Sequence, residues 1–172
     1  NEEIVIEALG SSDGIIIKYN EDKKIQDIKK IGSTSEDGIT GITKTSDGGF
    51  IVFGGVIGEA NIQDDEVLVN LIDENTEINS IAIKYDKDIK PQWITRMNEG
   101  FSIDYKGIET SDGSFVIFGY GMGCNFSAEN TVNNVEIELD EETPGYIKKL
   151  RQDGKTEWVV RISDIYMPDT TT

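Results

Sequence analysis

Apolar residues in this chain fall in short runs broken by clusters of Gly, Asp, Asn, Ser and Lys, which is the pattern of strands and turns. No stretch of useful length carries a helical period. Ile15-Ile16-Ile17-Lys18-Tyr19-Asn20, rich in β-branched side chains, predicts a well-buried strand. Lys24 to Ile31 predicts a second, with Ile25 and Ile31 facing inward, Ile39 to Lys44 a third and Phe50 to Val56 a fourth. Upstream, Ile4-Val5-Ile6-Glu7 predicts a short strand that aligns with the start of the fourth and would close a preceding unit.

The same order returns. Ser80 to Asp86, Pro91 to Met97, Tyr105 to Glu109 and Phe115 to Tyr120 predict four more strands. Tyr146 to Arg151 and Thr156 to Ile162 begin a third round, joined by Asp153-Gly154-Lys155 as a type I′-compatible turn. The landmark is Thr45-Ser46-Asp47-Gly48-Gly49-Phe50-Ile51-Val52-Phe53-Gly54-Gly55, which recurs 65 residues later as Thr110-Ser111-Asp112-Gly113-Ser114-Phe115-Val116-Ile117-Phe118-Gly119-Tyr120. Tyr85 follows Tyr19 by 66 residues, and Trp93 and Trp158 each stand eight residues after Tyr85 and Leu150.

These offsets divide a single β-repeat domain, 1–172, into a strand of a preceding unit (1–14), a first unit (15–58), an acidic insert (59–79), a second unit (80–123), a second insert (124–144) and a partial third unit (145–172). Four antiparallel strands in about 42 residues is the size of one propeller blade, and a ring takes about four to eight blades. The expected fold is therefore all-β: antiparallel, four-stranded, blade-like repeats in a partial or open β-propeller. Beginning at Asn1 and ending in Asp169-Thr170-Thr171-Thr172, the chain reads as an excised piece or a mature product, and its acidic start is unlike a signal peptide.

Charge narrows the partners. Thirty-three acidic residues against 16 basic ones give a formal charge of −17, a field that repels phosphate backbones and anionic headgroups. Nucleic acid and membrane insertion are excluded on this reading. The two inserts hold many of the acids and neither Lys nor Arg, so they belong on the outside of the stack.

The units resemble bacterial surface and secreted β-propeller repeats, in which an apolar strand ending Ile-Lys-Tyr/Leu-Asp, a short turn and a Trp-bearing strand precede Thr-Ser-Asp-Gly-Gly-Phe-Ile-Val. Here these elements are Ile17-Lys18-Tyr19-Asn20, Ile83-Lys84-Tyr85-Asp86 and Lys148-Lys149-Leu150-Arg151, then Trp93 and Trp158, then the two Ser-Asp-Gly turns. Asp27 departs from the pattern at the first Trp position. The turns are also similar to the Asp-box of sialidases, without its terminal Thr-Trp. The resemblance implies a repeat scaffold outside the cell or on its surface, and no particular reaction.

Several residues invite a chemical role. Asp47 and Asp112 suggest catalysis or metal binding, but Asp before Gly in a tight turn accepts bonds from neighbouring amides, and turn formation is favoured. Asp64, Asp65 and Glu66, with Asp140, Glu141 and Glu142, are the candidate calcium ligands, although neither cluster has the spacing of a calcium loop. Trp93, Trp158, Tyr19 and Tyr85 are expected to fill equivalent core or inter-blade positions, leaving Phe126 and Tyr166 as candidate exposed binding aromatics. Cys124 has no His to take its proton, because the chain contains none. That absence removes Ser-His-Asp and Cys-His catalysis.

The expectation is a non-catalytic extracellular or cell-surface scaffold with a protein or glycan ligand and self-association through open strand edges. Its rivals are a fragment of a sialidase-like or other carbohydrate-active enzyme, and a calcium-dependent binding module. No cofactor is expected on the leading reading, and calcium on the acidic inserts is the alternative.

Overall fold

The computed structural model describes residues 4–57, 61–62, 78–96, 102–121, 125–126, 137–138 and 145–162. Among these residues the chain is all-β, with no helix long and apolar enough to cross a membrane. The strands are β1 (Gly14–Tyr19), β2 (Ile25–Gly32), β3 (Gly38–Lys44), β4 (Phe50–Ile57), β5 (Asn61–Ile62), β6 (Ile78–Tyr85), β7 (Pro91–Arg96), β8 (Ser102–Glu109), β9 (Phe115–Gly121), β10 (Asn125–Phe126), β11 (Ile137–Glu138), β12 (Gly145–Leu150) and β13 (Thr156–Ile162).

Three antiparallel sheets stack on one another, and none closes into a barrel. Their strand orders are β1-β2-β5, β3-β4-β6-β7 and β13-β12-β9-β8, with β10 and β11 as a separate pair. The two four-stranded sheets are equivalents. Each takes its first two strands from the end of one sequence unit and its last two from the start of the next. The expectation that β1 to β4 form one sheet is therefore corrected. The loop after β2 turns the chain out of the first sheet: Asp37, nearly buried, accepts bonds from the Ser33 amide, the Ser33 hydroxyl and the Ile57 amide.

Two further expectations change. Residues 4–8 are not in a strand and have no ladder partner among the described residues; Lys30 Nζ donates to the Glu7 carbonyl. Ile25 faces solvent while Ile31 is buried. Between Lys18 and Tyr19 the register slips by one residue, leaving Gln26 unpaired, and such a slip turns every side chain beyond it to the other face.

Alternation gives each sheet two apolar faces. Val52, Ile81, Ile83 and Tyr85 of the middle sheet pack on Ile16 and Ile31 of the first. Its other face, Ile51, Phe53 and Ala82, packs on Phe115, Ile117 and Leu150 of the third. Thr40 and Thr43 of β3 donate side-chain bonds to the Asp104 and Gly107 carbonyls of β8, at 2.5 and 2.8 Å. Among the described residues no further sheet packs on either end of the stack. One exposes Ile15, Ile17 and Tyr19, and the other Ile108, Phe118, Trp158 and Val160.

Candidate functional site

The turns of the second and third sheets meet in a surface lined by Ser46, Asp47, Lys84, Gln92, Trp93 and Glu109. Thr45 to Gly49 closes through bonds from Gly48 N to Thr45 O and from Thr45 N to Gly49 O, at 3.1 and 2.9 Å. Gly48 supplies the left-handed conformation this requires, with φ +85°. Asp47 Oδ1 accepts from the Thr45 hydroxyl at 2.6 Å and the Gly49 amide at 2.9 Å. Asp112 repeats this with Thr110 and Ser114, at 2.6 and 3.0 Å. Each aspartate thus serves its own turn, as the Ser-Asp-Gly sequence predicts.

The sequence reading missed the second oxygen of each carboxylate. Lys84 Nζ donates to Asp47 Oδ2 at 2.8 Å, and Lys149 Nζ to Asp112 Oδ2 at 2.9 Å. Lys149 is also 3.2 Å from Glu157. The signal was present, because the lysine stands 37 residues after its aspartate in both pairs. Lys84, with the Thr45 hydroxyl and Gly49 amide after it, holds the Asp47 carboxyl far below the usual range. For Asp112 the Thr110 hydroxyl acts most strongly, followed by Lys149 and the Ser114 amide. Lys149 is raised in turn by Asp112 and Glu157.

Between the two turns runs a groove of about 440 Å³. It is lined by Ser46, Asp47, Lys84, Gln92 and Trp93 from the second sheet and its turn, and by Glu109, Gly113, Phe115 and Gln152 from the third. Glu109 crosses the gap between sheets, accepting from the Ser46 hydroxyl at 2.8 Å and from the Ser46 amide. Trp93 donates Nε1–H to the Gln152 carbonyl at 2.7 Å and meets Phe115 in a tilted contact, with ring centroids 6.5 Å apart. Trp93 and Tyr85 therefore hold the inter-sheet and core positions expected of them. Trp158 and Tyr19 do not, since each lies exposed on an open end of the stack.

A second polar cluster, also missed, is closed to solvent. Asp104 Oδ2 accepts from Lys148 Nζ at 2.8 Å and from the Ser80 hydroxyl at 2.9 Å, while Oδ1 accepts from the Tyr146 hydroxyl at 3.0 Å. Asp104, Lys148, Tyr146 and Ser80 are all fully buried, so the cluster joins the second and third sheets and admits no substrate. In the second sheet the positions of Asp104, Tyr146 and Lys148 are held by Ile39, Ile81 and Ile83. A joint change at three aligned positions is the trace that sequence could have offered.

Asp64, Asp65, Glu66, Asp140, Glu141, Glu142, Cys124 and Tyr166 lie outside the described residues, as does the side chain of Phe126; only the backbone of Phe126 is described, in β10. Among the described residues no three acidic or Cys side chains gather as a metal site. The groove offers hydrogen-bond donors and acceptors beside an aromatic edge, which suits reversible binding of a polar ligand. No protein-family model and no curated protein matches this sequence.

Proposed function

We propose that the chain is a non-catalytic interaction scaffold of β-propeller type, its stacked sheets acting as blades, exposed outside the cell or on its surface, with a protein or glycan ligand. The observation that carries this reading is the state of the carboxylates in the groove and on the adjoining turn. Asp47 and Asp112 are each engaged by a hydroxyl, an amide and a lysine, and Glu109 by Ser46. A general acid or base needs a proton to exchange near the working pH, and Asp47 and Asp112, held far below the usual carboxylate range, keep none. The same contacts fix the groove walls, which favours binding by a preformed surface. The charge of −17 favours neutral or cationic ligands.

The test is a glycan array run beside a panel of chromogenic glycosides and sialosides, each with calcium and with EDTA. Saturable binding without turnover, weakened by Gln92→Ala and Glu109→Ala, supports the scaffold. Turnover of any substrate overturns it in favour of a carbohydrate-active enzyme. Binding that vanishes in EDTA would assign the ligand to a calcium-dependent module built on the acidic inserts.

A further inference from the structure

Among the described residues the first sheet lacks what the other two possess. In each four-stranded sheet a strand introduced by Thr-Ser-Asp-Gly pairs with a strand carrying a lysine: β4 with β6 and β9 with β12. The aspartate of the turn binds that lysine, Asp47 to Lys84 and Asp112 to Lys149. In the second sheet the phenylalanine after the turn stacks on the tyrosine after the lysine, Phe50 on Tyr85 at 5.2 Å and 22°. β1 is the equivalent of β6 and β12, with Lys18 and Tyr19 at the positions of Lys84 and Tyr85. Among the described residues its ladder partner is β2 alone. Tyr85 is 1% exposed and Tyr19 is 55% exposed. Lys18 Nζ reaches instead to the Lys87 carbonyl at 2.8 Å and lies 4.0 Å from Asp88.

We propose that the open edge of β1 accepts an antiparallel strand introduced by Thr-Ser-Asp-Gly-x-Phe and supplied by a further repeat unit of this kind. Its main chain extends the ladder, its phenylalanine lies opposite Tyr19 as Phe50 lies opposite Tyr85, and its aspartate meets Lys18. An ammonium carries three donors, and Lys84 already uses two, to Asp47 and to the Tyr85 carbonyl; Lys18 can therefore keep Lys87 while taking the new carboxylate. The occupant is not a second copy of this chain. Its own two such strands, β4 and β9, are already paired on both edges.

The test uses a fluorescein-labelled peptide of residues Gly38–Ile57 with the whole chain. The expected result is saturable binding by anisotropy, with new hydrogen-exchange protection at Gly14–Tyr19. Asp47→Asn in the peptide, which leaves the protein untouched, weakens binding by about tenfold; Lys18→Met and Tyr19→Ala in the chain do the same, with circular dichroism confirming the fold. Absence of saturable binding to the folded chain overturns the proposal, as does protection elsewhere or indifference to Asp47→Asn. Lys18-dependent dimers of the chain alone, by sedimentation, would also overturn it by making a second copy the occupant.

Discussion

Trp93 Nε1–H is bonded to the carbonyl of Gln152, 2.7 Å away on the next sheet of the stack. Gly154 allows this closeness, because a Cβ there would lie 2.9 Å from Trp93 Cε3. Trp158 has the equivalent register position, opposite Lys149 as Trp93 is opposite Lys84, yet is 37% exposed. Truncating the two indoles should therefore have unequal effects. Trp93→Ala loses inter-sheet packing and a hydrogen bond, about 2–3 kcal/mol, whereas Trp158→Ala costs less than about 1 kcal/mol. Urea denaturation of both variants checks this, and equal losses would contradict the inter-sheet role of Trp93.

The ion pairs at the turns predict how stability depends on acid. Asp47 and Asp112 have carboxyls depressed from the ordinary value of 3.8. As pH falls below about 4, the unfolded chain takes up protons that the folded chain still refuses, so stability declines with falling pH. Above that window their contribution is fully present and flat. Both side chains are more than half exposed, so the effect is modest and screened by salt. In the double variant Asp47→Asn/Asp112→Asn, the urea midpoint should fall less steeply between about pH 4 and 2 than in wild type; unchanged steepness would place the acid sensitivity elsewhere.

Turn residues and alternation made the strands legible, and the second strand of the third unit, Thr156 to Ile162, begins and ends where expected. Sheet membership was not legible. The pairing of β4 with β6 spans residues 58–77, and nothing local in Phe50–Ile57 says which strand lies beside it. Ile25 shows the same limit at smaller scale, since one unpaired residue at Gln26 reverses a face that period-two counting had placed inward. The turn before β13 also differs from the type I′ reading: its left-handed residue is Gly154, with φ +82°, and neither Gln152 nor Asp153 has positive φ. At the site, the turn role of Asp47 is written in four adjacent residues, while its lysine is not adjacent and had to be inferred from a spacing. Asp104 and Lys148 were hidden because charged residues in a strand read as solvent-facing, and only the fold shows that both are buried together.

The buried cluster offers a test that the repeat itself supplies. Asp104→Ala removes the carboxylate that accepts from Lys148, Ser80 and Tyr146 inside a fully buried cluster, which should cost about 3–5 kcal/mol. The triple variant Asp104→Ile/Tyr146→Ile/Lys148→Ile, made together with Ser80→Ala so that no buried hydroxyl loses its acceptor, copies the apolar set Ile39, Ile81 and Ile83 of the second sheet. It removes the desolvation cost together with the pair, so it should be at least as stable as wild type to within about 1 kcal/mol. Denaturant titration of both variants decides the matter. A combined variant as unstable as the single one would show that the polar cluster is required to seat the third sheet.

The hairpin turns give a prediction with opposite signs at one structural position. Lys23, Ile89 and Gly154 are the fourth residue of three equivalent turns, and all are left-handed, at φ 62°, 58° and 82°. A side chain in that conformation costs about 1–2 kcal/mol, and Lys23 is exposed, with no packing to lose. Lys23→Gly should therefore stabilise by about 1 kcal/mol, less a fraction lost to the freer unfolded chain, raising Tm by about 2–4 °C. Ile89 is 1% exposed in the core between the first two sheets. Ile89→Gly relieves the same backbone strain but empties a packed site, a net loss of about 2–3 kcal/mol. Thermal melts of the two variants should move in opposite directions; a fall in both would mean that strain relief at Lys23 is smaller than the entropy gained by the unfolded chain, and a rise in both that Ile89 packs too weakly to matter.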